Sequence, residues 1–197
     1  MEGKALDIEL ISRLNELWGP IYPHLAQWIG HRGPPKPQWV LELGPFSGGI
    51  SRSLMIQMEN VNATCLMPQQ SVAASIREQS TSSIQILVGS LEQLPFAASF
   101  DLAVFRGAFF FLTPQMIKEA YRILKPAGRG LLGGGYGPLT PPEEISRIAE
   151  ESKRLNYRLG KRWISKAELE EMISDAQMAE QSEVLEEGGL WLMLRKD

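Results

Sequence analysis

The chain has 197 residues, of which 44% are hydrophobic and 22% are charged, so it has enough apolar material for one ordinary domain with a full core. Its formal net charge of −3 leaves no basic field that would hold a nucleic-acid backbone, and we expect no nucleic-acid partner. The single cysteine, Cys65, excludes an intramolecular disulfide and a cysteine-cluster metal site, and no metal is expected.

Membrane and export signals are also missing from the sequence pattern. No apolar run approaches the roughly 18 to 20 residues of a membrane span, and residues 1–7 carry acids in place of the apolar centre of a signal peptide. These patterns predict a cytoplasmic protein with no membrane partner. They leave the oligomeric state open.

The chain opens with two predicted helices. Apolar residues recur at helical spacing over residues 5–18, and residues 21–29 form a second helical stretch that stops at Gly30. Residues 31–37 are rich in proline, which excludes helix and central strand because proline lacks an amide donor. We therefore predict an N-terminal helical cap and linker over residues 1–37.

From Trp39 onward, short apolar runs alternate with helical stretches. The predicted strands lie at 39–43, 63–67, 84–88, 100–105 and 130–134. The helices predicted between them lie at 49–58, 71–78 and 113–124. Apolar strands that alternate with helices indicate a parallel sheet with helices on both faces, so residues 38–135 are predicted to form a Rossmann-like core.

The remaining residues add two helices and a closing hairpin. Helices are predicted at 143–159 and 165–175, inside a helical insert at 136–180. Strands at 182–185 and 190–194 flank a Gly-Gly turn and indicate an antiparallel hairpin within 181–197. The prediction is a single α/β domain over residues 1–197, with a Rossmann-like, doubly wound, mostly parallel seven-stranded sheet, a C-terminal antiparallel hairpin and an N-terminal helical cap.

The first strand ends in the turn Leu43-Gly44-Pro45-Phe46-Ser47-Gly48-Gly49. In a doubly wound sheet, ligands bind beyond the carboxyl ends of the strands, where the strand order reverses. Glycines allow close backbone approach to a ligand, and the following helix points unpaired amides at an anionic group. A turn that merely packs helix against strand has the same pattern, so this turn alone leaves both interpretations open.

Four segments in order resemble the class I S-adenosylmethionine-dependent methyltransferases, most closely the type 11 or ubiquinone/menaquinone methyltransferase-like branch. The segments are 40–49, 88–96, 99–108 and 121–129. The resemblance implies a transferase that uses S-adenosyl-L-methionine as cofactor and methylates a small-molecule substrate. The positions that match the family's cofactor site are Glu42, Gly44, Pro45, Phe46, Gly48, Met67, Pro68, Gly89, Ser90, Leu91, Arg106 and Gly107.

Three of these positions depart from the family's pattern. Phe46 replaces a glycine of the first turn, Met67 replaces the acid that grips the ribose, and Ser90 replaces an acid near the adenine. Each lost charge-assisted hydrogen bond is worth roughly 1.5–3 kcal/mol. Two alternatives follow: a methyltransferase that holds the cofactor through backbone contacts, or a non-catalytic methyltransferase-like protein (a pseudoenzyme) that binds a ligand or partner. A dinucleotide site is disfavoured, because the turn lacks the Gly-x-Gly-x-x-Gly spacing.

Residues outside the core are the candidates for the acceptor site, which we expect to include Tyr22, Phe109, Tyr136 and Trp163. His24 is the candidate general base if one is needed, although an ordinary helix histidine is the simpler interpretation. Arg106 has two possible partners, an anionic substrate or Glu42, and the pairing with Glu42 is preferred. The basic end of the segment 143–162 either complements the helix dipole or admits an anionic substrate.

Overall fold

The computed structural model describes residues 7–79 and 84–197. Its helices are α1 (Ile8–Leu17), α2 (Tyr22–Arg32), α3 (Gly49–Gln57), α4 (Gln70–Gln79), α5 (Pro114–Arg122), α6 (Pro142–Arg158) and α7 (Lys166–Asp175). Its strands are β1 (Trp39–Leu43), β2 (Asn62–Met67), β3 (Gln85–Val88), β4 (Phe100–Arg106), β5 (Leu124–Gly135), β6 (Ser182–Leu185) and β7 (Gly189–Arg195).

The strands form one sheet in the order β3-β2-β1-β4-β5-β7-β6. Strands β1 to β5 pair in parallel, and β7 runs antiparallel to both of its neighbours, β5 and β6. The order reverses between β1 and β4, because the chain first builds outward to β3 and then returns to the other side of β1. The predicted fold, an α/β doubly wound sheet closed by a hairpin, is confirmed.

Two hydrophobic clusters cover the two faces of the sheet. Because successive side chains of a strand point to opposite faces, Val40 belongs to the cluster that includes α1, α2 and α3, whereas Leu41 belongs to the cluster that includes α5 and α7. Strands β2, β1 and β4 are buried along nearly their whole length, as expected for a parallel sheet with helices on both faces. The sheet edge that carries the carboxyl ends of β1 and β4 is therefore the rigid base of the candidate site.

Polar contacts tie the N-terminal helices to distant parts of the chain. The Trp18 indole donates to Ser152 Oγ on α6 at 2.9 Å, and Arg13 forms an ion pair with Glu151 at 2.6 Å. At the other end of the cap, Arg32 pairs with Glu187 in the turn of the hairpin. These contacts join the N-terminal helices to α6 and to the hairpin.

The sequence predictions differ from the structure mainly at the ends of elements. Gly30 does not end the second helix, which continues to Arg32 and stops at Gly33, whose amide bonds to Ile29. Strand β5 begins at Leu124 and not at residue 130, because the Lys125-to-Gly128 stretch stays within the strand as an irregularity beside β4. Residues 5–6 of the first predicted helix lie outside the described residues. Across residues 7–79 and 84–197, no helix has the length and apolar character needed to span a membrane.

Candidate active site

The turn after β1 has the backbone that its glycines predict. Gly44 has a φ of +91°, and a Cβ at that position would lie 2.5 Å from the Phe105 ring. Gly48, with a φ of +103°, is the residue that precedes α3. The Ser47 hydroxyl donates to the Gly44 carbonyl at 2.6 Å. The turn therefore brings the amino end of α3 close against the sheet.

Glu42 lies beneath this turn and is fully buried. Its Oε2 accepts hydrogen bonds from the amides of Gly48 at 2.9 Å and of Ser51 at 2.8 Å. Its other oxygen, Oε1, has no partner among the described residues. Burial raises the pKa of this carboxyl above its ordinary value, because a low-dielectric interior disfavours the charged form. Glu42 thus caps α3, and it occupies two of the amides that were predicted to bind an anionic ligand.

Phe46 occupies the crevice between β1 and β4. Its side chain is only 1% exposed, and a Cβ at Gly107, directly after β4, would lie 2.6 Å from the Phe46 ring. On its other side the ring packs on Phe110, with 5.2 Å between centroids. Phe46 therefore spans the point where the strand order reverses, which is where a doubly wound sheet binds its ligand.

Arg106, the last residue of β4, is 4% exposed and lies among aromatic rings. Its guanidinium carbon lies 4.5 Å from the ring centroid of Trp18, 5.2 Å from that of Tyr22 and 4.9 Å from that of Phe46. Cation–π contacts of this kind are worth about 0.5–2 kcal/mol each. We call Arg106, these three aromatic residues and Asn15 the Arg106 cage.

The hydrogen bonds of Arg106 go to neutral partners. Its Nη2 donates to Asn15 Oδ1 at 3.0 Å and to the Tyr22 hydroxyl at 2.8 Å. Burial raises the pKa of Tyr22 to about 12, so this hydroxyl stays protonated and donates in turn to Asn15. The expected pairing of Arg106 with Glu42 is wrong, since the ion pairs of the described chain do not include it; the N-terminal helices supply the partners instead.

The ends of β2 and β3 lack an acidic side chain at the cofactor positions. Met67 is fully buried, and its carbonyl accepts a hydrogen bond from Gly89 at 3.1 Å. Ser90 is exposed, with its hydroxyl accepting from the Glu92 amide at 3.2 Å. Pro68 is exposed and Leu91 is buried.

The backbone of the turn fits an adenosyl cofactor, but the side chains of Phe46 and Tyr22 occupy the space that the cofactor would need. Phe46 fills the crevice, and the Tyr22 ring lies so near Gly49 that a Cβ there would be 2.4 Å away. Glu42 is buried and Met67 is apolar, so neither residue offers an exposed carboxylate to a ribose. A cofactor would need the Phe46 and Tyr22 rings to move aside.

An open pocket of about 790 Å³ lies at the carboxyl ends of β4 and β5, within the range of small-molecule sites. We call it the α6 pocket. One wall is backbone: Gly134-Gly135 of β5 faces Gly188-Gly189 of the hairpin. A Cβ at Gly135 would lie 2.3 Å from the Gly188 carbonyl oxygen, so glycine lets the strands approach closely here. Helix α6, the segment 161–164, Trp18, Phe109, Tyr136 and Leu190 complete the lining.

The structure brings three of the four predicted acceptor-site residues together. Phe109, Tyr136 and Trp163 all line the α6 pocket, but Tyr22 lies in the Arg106 cage and lines a separate cavity of about 280 Å³ between the N-terminal helices and α3. His24 is half-buried on α2 and lines neither cavity. None of the twelve predicted cofactor residues lines either one.

Sequence reasoning missed two residues that shape the site. Asn15 holds Arg106 and Tyr22, yet it stands in an ordinary polar position of an amphipathic helix. Lys161 lines the α6 pocket and was one cation among several in a mixed-charge segment. Trp18 is buried, and it also stacks on Tyr136 in the pocket wall, with 4.8 Å between centroids. The described residues contain no cluster of three or more His, Cys, Asp or Glu suited to a metal.

Comparisons with known proteins bear on both the domain and the fold. Residues 41–132 match a family model described as a methyltransferase domain. No curated protein matches the chain. A solved Methanococcus maripaludis protein assigned as an S-adenosyl-L-methionine-dependent methyltransferase has a TM-score of 0.75 and 23% identity, over 100% of this chain and 96% of its own.

Two further structures have the same fold at lower identity. A Haloferax volcanii protein assigned as a methyltransferase, solved with the Trm112 methyltransferase activator, has a TM-score of 0.69 and 18% identity over 99% of this chain and 100% of its own. The structure of PigF with SAH has a TM-score of 0.65 and 16% identity over 93% of this chain and 56% of its own. At these identities the structures show the fold, and the family model matches residues 41–132 within it.

Proposed function

We propose that the protein is a class I, S-adenosylmethionine-dependent methyltransferase that transfers a methyl group to a small molecule bound in the α6 pocket. The match of residues 41–132 to a methyltransferase-domain family model supports this. The observation that carries this proposal is the position of that pocket. It opens at the carboxyl ends of β4 and β5, and Trp18 in its wall also contacts Arg106 beside the first turn. The pocket thus adjoins the turn that the family uses for its cofactor.

The chemistry asks little of the protein's side chains. The cofactor supplies an activated methyl group when bound, and the protein's task is to orient the acceptor and exclude water. The aromatic and backbone walls of the α6 pocket suit that task, because they contact the apolar part of an acceptor without competing as nucleophiles. His24 stays a prediction as general base; its place outside the pocket lining favours an acceptor that needs none.

Cofactor binding is proposed at the predicted residues of the turn and of the neighbouring strand ends. Gly44 and Gly48 allow close backbone approach, and the buried Met67 offers an apolar surface in place of an acid. Entry requires the rings of Phe46 and Tyr22 to leave the crevice.

The second candidate is a non-catalytic protein with a methyltransferase fold. One observation favours it: Phe46 and the Arg106 cage fill the crevice with packed side chains. In that case the α6 pocket binds its ligand without any cofactor. Of the two candidates, the enzyme has the wider support, because both the family match and the adjoining pocket agree with it.

Calorimetric titration of S-adenosylhomocysteine tests the proposal. We expect binding to the purified protein with a dissociation constant of about 1 mM or tighter. Replacing the ring by Phe46→Ala should tighten binding by about tenfold, since the variant no longer has to displace an aromatic side chain. Phe96→Ala is the matched control, because that ring packs on Phe100 away from the turn and its removal should leave affinity unchanged.

The outcomes separate the two candidates. Absence of binding by both the wild type and Phe46→Ala would reject the enzyme and leave the non-catalytic protein. Binding by the variant alone would mean that the natural chain keeps the crevice shut. Equal binding by both would mean that Phe46 does not obstruct the cofactor.

A further inference from the structure

The walls of the α6 pocket combine aromatic surface with cations. Tyr136 and Trp18 stack on one side, while Tyr157 and Trp163, respectively 83% and 80% exposed, belong to the lining on the other. Exposed apolar surface that is contiguous commonly marks a binding site. The pocket therefore presents flat apolar surface of a kind that suits a planar molecule.

The charges of the lining are unbalanced. Four cations, Lys153, Arg154, Lys161 and Arg162, stand against one acid, Glu150. The chain as a whole is acidic, with a net charge of −3, so this concentration of positive charge is local. Arg154 is already paired with Glu151 at 2.5 Å, whereas Lys161 makes no ion pair with any residue in 7–79 or 84–197.

Trp18 connects Lys161 to Arg106, because it lines the α6 pocket together with Lys161 and its ring centroid lies 4.5 Å from the Arg106 guanidinium carbon. Burial and the positive charge of Arg106 lower the pKa of Lys161, and the Lys161 ammonium packs over the Trp163 ring at 5.3 Å. The hydrogen bonds of Arg106 go to neutral groups. Neither cation has a carboxylate partner among the residues that the structure describes. The two positive charges repel each other, and an anion between or beside them would relieve that repulsion.

We propose that the α6 pocket binds an aromatic carboxylate or a similar planar monoanion, with the anionic group near Lys161 and the ring against the aromatic walls. This assignment names the substrate class of the proposed methyltransferase and therefore rests on the proposed function. A methyl acceptor of this class carries a hydroxyl, amine or ring carbon for methylation besides its anionic group. The pocket selects the molecule by charge and shape.

Calorimetry with 2-naphthoate and 2-naphthamide tests this proposal without any cofactor. The two probes share a ring system and differ in charge. We expect 2-naphthoate to bind about tenfold more tightly than 2-naphthamide. In Lys161→Gln the affinity for 2-naphthoate should fall by about tenfold, while that for 2-naphthamide stays unchanged and shows that the pocket is intact.

A matched control separates a local contact from a change in net charge. Lys166→Gln removes one positive charge from an exposed lysine outside the pocket lining, paired with Glu186, and should leave both affinities unchanged. Lys161→Arg, which keeps the charge, should retain most of the preference for 2-naphthoate.

Three results would overturn the proposal: equal affinity for both probes, equal losses in Lys161→Gln and Lys166→Gln, or no binding of either probe at about 1 mM. S-adenosylhomocysteine is titrated separately. A negative result with the naphthalene probes would therefore not count against cofactor binding, and a negative result with S-adenosylhomocysteine would not count against the anion site.

Discussion

The first turn and the α6 pocket are neighbours, but the chain builds them in opposite ways. The turn comes from one continuous stretch, 42–51, whose side chains are buried. The hydrogen bonds of Glu42 are made within that stretch. The pocket is assembled from Trp18 at the end of α1, the ends of two strands, α6 and the segment after it. Local sequence thus specifies the turn, whereas only the tertiary fold creates the pocket.

The same contrast separates stability from recognition. Phe46 and Glu42 are part of the core, so replacing them should change mainly the free energy of unfolding. Side chains at the pocket rim are exposed, so replacing them should change mainly the affinity for a ligand. The following variants test whether the two regions divide their roles in this way.

The largest effect is expected from Phe46→Ala. This ring is 1% exposed and contacts Arg106, Phe110 and Gly107. Removing a buried phenylalanine and leaving a cavity costs about 3–5 kcal/mol, which urea unfolding should measure. A loss below about 1 kcal/mol would show that the crevice collapses or fills with water without penalty, and that the turn is not core.

A smaller, pH-dependent effect is expected from Glu42→Gln. Burial raises the pKa of Glu42 above its unfolded value of 4.5, so the folded state binds the proton more tightly. The stability linked to this group is full below pH 4.5 and is lost as the pH rises through the raised pKa. Gln stays neutral and can accept the same amide hydrogen bonds, so the variant should lack this decline.

The measurement for Glu42 is the difference in urea midpoint between wild type and variant across pH 4 to 8, at about one-unit steps. Titration of all other groups cancels in that difference. We expect the variant to gain relative to the wild type as the pH rises. A difference that is constant with pH, or that changes in the other direction, would mean that the carboxylate is stabilised by the amino end of α3.

The smallest effect is expected from Arg13→Gln, which removes the ion pair that joins α1 to α6 beside the pocket. Arg13 is largely exposed, and Glu151 has a second partner in Arg154. Exposed pairs contribute about 0.2–1 kcal/mol, and salt should reduce even that. A thermal unfolding loss as large as that of Phe46→Ala would contradict the division between a core turn and a loosely held pocket wall.

Sequence reasoning reached the fold because its signals are local. Apolar runs, prolines and Gly-Gly pairs mark each strand and turn, and β1 at residues 39–43 was predicted with its observed bounds. The resemblance to the methyltransferases was carried by segments in the core, where the family match also lies.

The site was harder to predict because its decisive contacts join distant residues. Arg106 bonds to Asn15, which is 91 positions away in the chain, and no spacing rule connects the two. For the same reason Tyr22 was expected in the acceptor pocket, although it lies in the Arg106 cage. Phe46 was recognised as unusual from the sequence alone, but whether its ring points outward or into the crevice depends on the packing of α1 and α2.

Trp18 gives the molecule a built-in optical reporter. One face of its indole stacks on Tyr136 in the pocket wall and the guanidinium of Arg106 lies over its ring, while its Nε1 is bonded to Ser152. Any molecule that enters the pocket, and any opening of the crevice, alters the surroundings of this one fluorophore. In a chain whose other tryptophans are replaced by phenylalanine, its emission would follow both events in real time.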